Sequence, residues 1–312
     1  MVGQGQSPFL KTKTVPNINQ IPTLKPGGLD DFHFGNVKWQ LPFSQVHHLF
    51  HINRLETYRD KIAFPLPPHR KTVYDFVFLT KGTSTRSKGL NQYTFGENEF
   101  FFLPAYQITS HEYMSEDAEG YFVHFDAEIF RSASLHRALD NFLFLNFLAK
   151  PVITVSLNAQ KPILNILSRL EDLYFEVPQT DFGLVVFYLL ALLTEAKKFV
   201  IAEKKLAKNS ALYISQQYKN ALTQHIYQKQ SVSEYADLLN VTPNHLNKCV
   251  RATTHKTAQD LLNEMLILEA KSLLKYSNLQ IAEIAVKLCN QTPSNFARFF
   301  KNQTGVSPKE YQ

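Results

Sequence analysis

The sequence predicts an α+β protein in two parts. An N-terminal antiparallel β-barrel with helices is followed by a C-terminal all-α domain of two helix-turn-helix modules joined by a long helix. Three observations carry this. Bulky aromatics crowd into the first part: of 25 Phe, 22 precede residue 209. Short β-branched and aromatic runs, punctuated by turn residues, fill Thr72 to Phe130, as in an antiparallel barrel or sandwich. The last third of the chain repeats itself.

Composition sets the frame. The 312 residues suffice for two ordinary domains, and 44% hydrophobic with 19% charged residues is a globular balance. Residues 209–312 hold eleven Lys and Arg against seven Asp and Glu, a net +4 of the chain's +6. That surplus permits a polyanionic partner. Cys249 and Cys289 are the only cysteines, which excludes a disulfide framework and a four-cysteine zinc site. Met1 to Leu10 lacks the pattern of a secretory signal. The longest apolar run, Phe182 to Leu193, is twelve residues, too short to span a bilayer. A cytoplasmic protein with no membrane partner is expected.

Along the chain, residues 1–30 read as an irregular arm. Residues 31–205 form the barrel and helical part. Strand-like runs lie at Val73–Thr80, closed by Lys81-Gly82, at Gln92–Phe95 before the turn Gly96-Glu97-Asn98, and at Glu99–Leu103, Ile108–Met114 and Gly120–Phe125. Two helices follow, Lys161–Glu176 and Asp181–Lys205. The first carries Ile163, Leu167, Leu170 and Tyr174 at helical spacing, with Pro162 in its first turn. Leu167, Leu170 and Tyr174, with Leu189, Leu192 and Ala196, form apolar stripes expected to mediate a homodimer. The Lys/Ala-rich stretch near 205–210 marks the boundary to the final domain, 206–312.

In that domain Ser233–Leu239 matches Ala282–Leu288 at an offset of 49, and Thr242–Lys248 matches Thr292–Arg298 at an offset of 50. Each copy reads as a short helix, a tight turn and a second helix, at about 231–252 and 280–302. In the first, Ser233 is placed to cap the first helix, and Asn240-Val241-Thr242 forms the turn. Thr242 caps the second helix, with Pro243 at its first position, where no N–H is missed. Leu246, Cys249 and Val250 make an apolar stripe, leaving Asn244, Asn247, Lys248 and Arg251 on the other side. Amides and cations on one exposed face are what base edges and phosphates require. Between the copies Ala258, Leu262, Leu266, Ala270 and Leu274 recur every four residues, a helix over about 257–276. It would hold two readers for successive major grooves, about 34 Å apart.

The chain resembles the AraC/XylS family of transcription regulators. The resemblance is carried by Leu279–Ala285, Asn295–Lys301, Thr304–Tyr311 and the connector around Glu269-Ala270-Lys271. It implies double-stranded DNA and RNA polymerase as partners. It also implies base reading by Asn244, Asn247 and Lys248 in the first module and by Ser294, Ala297 and Arg298 in the second. Thr242, His245, Arg251, Thr292, Asn295 and Lys301 take the phosphate positions. Two departures stand out. Leu288-Cys289-Asn290 replaces the family's Leu-Gly-Phe, which predicts a less firmly placed second reader. His255 replaces a glycine after the first reader.

More weakly, Pro67–Gly82, Glu99–Pro104 and Gly120–Phe125 are similar to the cupin-like barrel that fuller members carry. That implies a small-molecule effector, with Trp39, Phe76, Phe78, Tyr93 and Tyr106 as candidate lining. No catalytic residues, cofactor or metal are expected. Ser84 and Ser87 form no nucleophile elbow, and the densest histidine cluster, His47-His48-x-x-His51, has neighbours that point to opposite faces of a strand. A non-enzymatic, DNA-binding regulator is the leading expectation. Two alternatives stay open: a cupin-type metal enzyme with a DNA-binding tail, and a ligand-independent regulator controlled by a protein partner.

Overall fold

A computed structural model describes residues 20–34, 48–132, 135, 138–176, 182–200 and 210–312. Its N-terminal part contains β1 (Thr23–Leu24), α1 (Leu29–Phe34), β2 (Phe50–Arg54), β3 (Leu66–Lys71), β4 (Tyr74–Lys81), β5 (Ser84–Lys88), β6 (Asn91–Phe95), β7 (Glu99–Leu103), β8 (Thr109–Met114), β9 (Glu119–Phe125), α2 (Glu128–Ser132), β10 (Val152–Thr154), α3 (Leu157–Glu176) and α4 (Phe182–Lys197). The strands form two five-stranded sheets, β1-β3-β8-β5-β6 and β10-β7-β4-β9-β2. All pairings are antiparallel except β1 with β3.

Side-chain alternation divides the second sheet into two faces. On β4, Phe76 and Phe78 join Phe100, Phe102, Val123 and Phe125 under α3 and α4. Val77 and Leu79 belong instead to a separate cluster with Phe101, Leu103, Phe95 and Met114 on the side of the other sheet. The helices therefore cover one face, and the two sheets enclose the other.

This placement corrects two expectations. Phe76 and Phe78 do not line an internal cavity; they are the fully buried floor beneath the helices. Leu167, Leu170, Tyr174, Leu189, Leu192 and Ala196 are buried in the same core. The apolar stripe found in the sequence is the one that packs on the sheet, as amphipathic helices do. Among the described residues the large apolar side chains left exposed on these helices are Leu157 and Phe175 on α3 and Leu184 and Phe187 on α4. Part of the expected irregular arm is also structured. Thr23 and Leu24 pair with Arg70 and Lys71, and α1 follows within the span expected to be arm and barrel start. The described part of the second helix ends at Lys197, and most of the 205–210 boundary lies outside the described residues.

The C-terminal part is helical: α5 (Ser210–His225), α6 (Val232–Leu238), α7 (Pro243–Thr254), α8 (Ala258–Tyr276), α9 (Ile281–Cys289), α10 (Pro293–Thr304) and α11 (Pro308–Tyr311). Its core gathers Tyr218, Leu222, Leu246, Val250, Leu262, Ala270, Ile284, Leu288, Phe296 and Phe300. Local signals fix the helix ends. Ser231 with Glu234, Thr257 with Asp260 and Ser307 with Glu310 form capping boxes, each satisfying two N–H groups the first turn leaves open. Ser231, not Ser233, caps the first helix of the first module. Among the described residues no helix is long and apolar enough to cross a membrane.

Candidate nucleic-acid interface and the inter-sheet cavity

The two modules are built alike. Thr242 and Thr292 accept the N–H groups of His245 and Asn295 at 3.2 and 3.4 Å, and Pro243 and Pro293 open the helices. Each turn passes through a left-handed residue, Asn240 (φ 53°) and Asn290 (φ 46°), a conformation Asn adopts more readily than most residues. In the first module the Val241 N–H returns to the Ala236 carbonyl at 3.0 Å; in the second the Gln291 N–H returns to Ala285 at 3.3 Å. The extra residue of the second copy is absorbed between those two ends. Cys289 is buried in the core. The Leu-Cys-Asn departure therefore leaves a closed turn, and the expected loosening of the second reader has no counterpart in its geometry. His255 takes φ 59° at the end of α7, as Gly305 takes φ 84° at the end of α10.

With Leu246, Cys249 and Val250 turned inward, Thr242, Asn244, His245, Lys248 and Arg251 are exposed on α7. Thr292, Ser294, Asn295, Arg298 and Lys301 are exposed at the equivalent places on α10. Arg298 donates to the Asn295 side-chain oxygen at 3.1 Å, which steadies both groups on one face.

Asn247 is a correction. It is half-buried, and its Oδ1 accepts the Ala258 N–H at 3.0 Å. That N–H opens α8 and has no intrahelical partner, so Asn247 joins the reading helix to the connector instead of facing outward. Ala297 occupies the matching half-buried position in the second module.

Both thiols are held protonated. Burial pushes Cys249 above its ordinary value and Cys289 up to about 11, so neither has the thiolate character that reactivity requires.

The barrel holds a second site, lined by residues other than those expected. Between the sheets lies a cavity lined by His69 and Lys71 of β3, Arg86 of β5, His111 of β8, Phe122 of β9 and His33 of α1, among others. Tyr93 and Tyr106 do not line it; both face the open groove between the barrel and the C-terminal helices. Trp39 lies outside the described residues. Lys71 and Arg86 share one carboxylate, Asp75, at 3.1 and 3.3 Å, and all three are almost wholly buried. The surroundings depress their neighbours. His69 is lowered to about 3 by burial first and then by Lys71. His33 and His111 are pushed well below their ordinary range by burial and by the same cations. Lys71 is lowered to about 8, chiefly by burial. Among the described residues no three His, Cys, Asp or Glu are placed to hold a metal ion.

Strand β3 has two working faces. His69 and Lys71 point into the cavity, and Arg70 points the other way. There the Arg70 Nη2 donates to Glu269 of α8. The Tyr227 hydroxyl, just beyond α5, donates to the other oxygen of Glu269. Arg70 is 4% and Glu269 0% exposed. Burial raises the Glu269 carboxyl above its ordinary value, against the opposing pull of Arg70 and Tyr227. Arg70 also donates to the Ile21 carbonyl at 3.3 Å. A buried ionic latch thus ties the barrel to the helix that spaces the two readers.

Comparison with known proteins identifies the C-terminal part. A family described as "Helix-turn-helix domain" matches residues 235–312. The uncharacterized HTH-type transcriptional regulator YisR of Bacillus subtilis is 26% identical over 124 residues, 40% of this chain and 40% of that protein. YijO of Escherichia coli, an uncharacterized protein of the same kind, is 34% identical over 101 residues, 32% of each. Residues 235–312 are a helix-turn-helix domain. These alignments leave more than half of each regulator unmatched. Among solved structures, ToxT from Vibrio cholerae O395 aligns over 84% of this chain and 96% of its own, at 15% identity and a TM-score of 0.41. The C-terminal domain of AraT from Geobacillus stearothermophilus aligns with 31% of this chain and 82% of its own, at 28% identity and a TM-score of 0.30. The matched segment takes in most of α6 and all of α7 to α11, with Glu269 of the latch inside it; the cavity and Arg70 lie outside it.

Proposed function

We propose that the chain is a sequence-specific DNA-binding transcription regulator whose N-terminal domain senses a small molecule. The observation that carries the reading is the pair of matched faces: on α7 and α10 the same positions present amides, hydroxyls and cations to solvent, one copy at each end of a 19-residue connector. Asn244, Lys248, Ser294 and Arg298 are the base readers. Asn pairs with adenine and Arg or Lys with guanine in the major groove. Thr242, His245, Arg251, Thr292, Asn295 and Lys301 take phosphates, which set affinity and register. Ala297, on the flank of α10, has only a methyl to offer a thymine methyl.

The sensing role rests on the inter-sheet cavity and on β3, which touches both the cavity and α8. A ligand that moves β3 would shift Arg70 and so bias the connector. A homodimer would form through the apolar residues left open on the helices, Leu184 and Phe187 of α4 and Phe175 of α3, which are 44%, 62% and 49% exposed. RNA polymerase would be engaged at the promoter. The domains are taken as a barrel and helical unit up to about residue 205 and a DNA-binding unit from about 206.

The test is selection of binding sites from random duplexes with the full chain, followed by anisotropy titration. Enrichment of one motif with two half-sites about one helical turn apart supports the reading. Recovery of no motif, with equal affinity for all duplexes, counts against it.

A further inference from the structure

The cavity carries a charge it does not balance. Two buried cations, Lys71 and Arg86, face one carboxylate, and no Asp or Glu lines the cavity among the described residues. Each also lies over an aromatic face. The Lys71 ammonium lies 4.9 Å from the Phe122 ring centre and the Arg86 guanidinium 5.2 Å from that of Phe101. Such contacts soften desolvation but do not neutralise a charge. Arg86 Nε has no hydrogen-bond partner among the described residues. An excess buried cation with an open donor asks for one negative charge.

His69 adds a second requirement. Its Nδ1 lies 2.9 Å from the Pro67 carbonyl oxygen. A carbonyl only accepts, so Nδ1 carries the proton, and in the neutral ring Nε2 is a bare acceptor. Nε2 is buried and has no partner among the described residues. A carboxylate cannot satisfy it, and an ammonium would be repelled by Lys71 and Arg86. A hydroxyl meets both conditions. Size sets the last limit. The cavity offers about 40 Å³ for water-sized groups. One water takes roughly 10–15 Å³ on that measure, so about three or four such groups fit. Val77, Met114 and Phe122 supply apolar wall.

We infer that the inter-sheet cavity is a site for a small hydroxy acid, its carboxylate on Lys71 and Arg86 and its hydroxyl donating to His69 Nε2. This rests on the small-molecule reading above and gives that ligand its chemical class.

Thermal unfolding and calorimetric titration of the full chain test it with four probes at matched ionic strength: lactate, propionate, lactamide and propane-1,2-diol. Lactate is expected to raise the midpoint by about 3 °C or more at ten times its dissociation constant. It should bind about tenfold tighter than propionate, the worth of one buried hydrogen bond. Lactamide and the diol should not bind. Lys71→Met, which leaves Arg86 and Asp75 paired, should abolish the response while the protein stays folded. His69→Phe should erase the preference for lactate over propionate, and it decides the matter alone if Lys71→Met does not fold. Binding of lactamide or the diol in place of lactate overturns the anion chemistry but leaves a small-molecule sensor. A protein unmoved by any of the four overturns the inference; if it still selects a DNA motif, the regulator reading stands without it.

Discussion

The Arg70–Glu269 latch makes a quantitative prediction. Both groups are buried, and Glu269 has two donors, Arg70 and Tyr227. Removing one member of such a pair leaves a charge in a dry site, which typically costs about 3–5 kcal/mol. Arg70→Met and Glu269→Leu should each destabilise the full chain by about that amount. Replacing both with apolar groups of similar size leaves no stranded charge, and such exchanges are often close to neutral. The double variant should therefore be more stable than either single one, so the coupling should exceed the cost of one single variant, about 3–5 kcal/mol. Urea unfolding followed by circular dichroism measures all four corners of the cycle, with m-values compared so that each transition is scored separately. The same cycle read by DNA affinity tests whether the latch restrains the readers. Single variants that each cost under about 1 kcal/mol, and simple additivity in the double, would refute the buried latch.

Three further outcomes follow from side chains already placed. Asn247→Ala should cost about 0.5–1.5 kcal/mol of stability by freeing the first N–H of α8, and should weaken binding to all duplexes alike, as seen by chemical denaturation and anisotropy. His255→Gly should raise stability by roughly 0.5–1 kcal/mol, because a left-handed position costs a residue with a Cβ; a drop in midpoint would show that the His255 side chain contributes something else. The third concerns acid. His69 has a folded value depressed to about 3, so the unfolded chain binds its proton first as pH falls below about 6.5. Stability is then lost as pH drops from about 6.5 toward 3, by about 2 kcal/mol by pH 5 from this group alone. His69→Phe should flatten that part of the stability-against-pH curve by about one proton, and an unchanged slope would contradict a neutral buried His69.

The C-terminal domain was legible because local chemistry specifies it. Thr242 caps α7 and Pro243 opens it, as the sequence pattern implies, and Thr292 and Pro293 do the same for α10. The spacing Ser231-x-x-Glu234 is the capping-box signature, and it marks Ser231, not Ser233, as the cap. Helical periodicity and the family resemblance both put Asn247 on the reading face. Periodicity puts it at the edge of that face, and only the approach of α8 decides which way an edge residue turns. The barrel was legible as strands but not as faces. Alternation shows that Phe76 and Phe78 share a side; which side meets helices depends on how two sheets and two helices stack. The cavity was hidden for a related reason. Lys71, Asp75 and Arg86 look like surface residues in sequence and meet only through pairing of distant strands. The signal that was available is their inward parity: His69 with Lys71, Asp75 with Val77, and Ser84 with Arg86. Arg70 and Glu269 are 199 residues apart, beyond the reach of any local pattern, though a Glu in the apolar run of the connector marked the place.

The central claim, that the exposed faces of α7 and α10 read DNA bases together, is tested most directly by one set of affinities. Wild-type, Lys248→Ala, Arg298→Ala and Lys301→Ala proteins are titrated with the selected duplex and a scrambled one across salt concentrations. Lys248→Ala and Arg298→Ala should each lose about 1–3 kcal/mol on the selected duplex, with relaxed preference at a few positions. Lys301→Ala should weaken both duplexes equally and reduce the salt slope by about one. If Lys248→Ala and Arg298→Ala bind both duplexes as tightly as the wild type, with an unchanged salt slope, these two helices are not the DNA-reading surface.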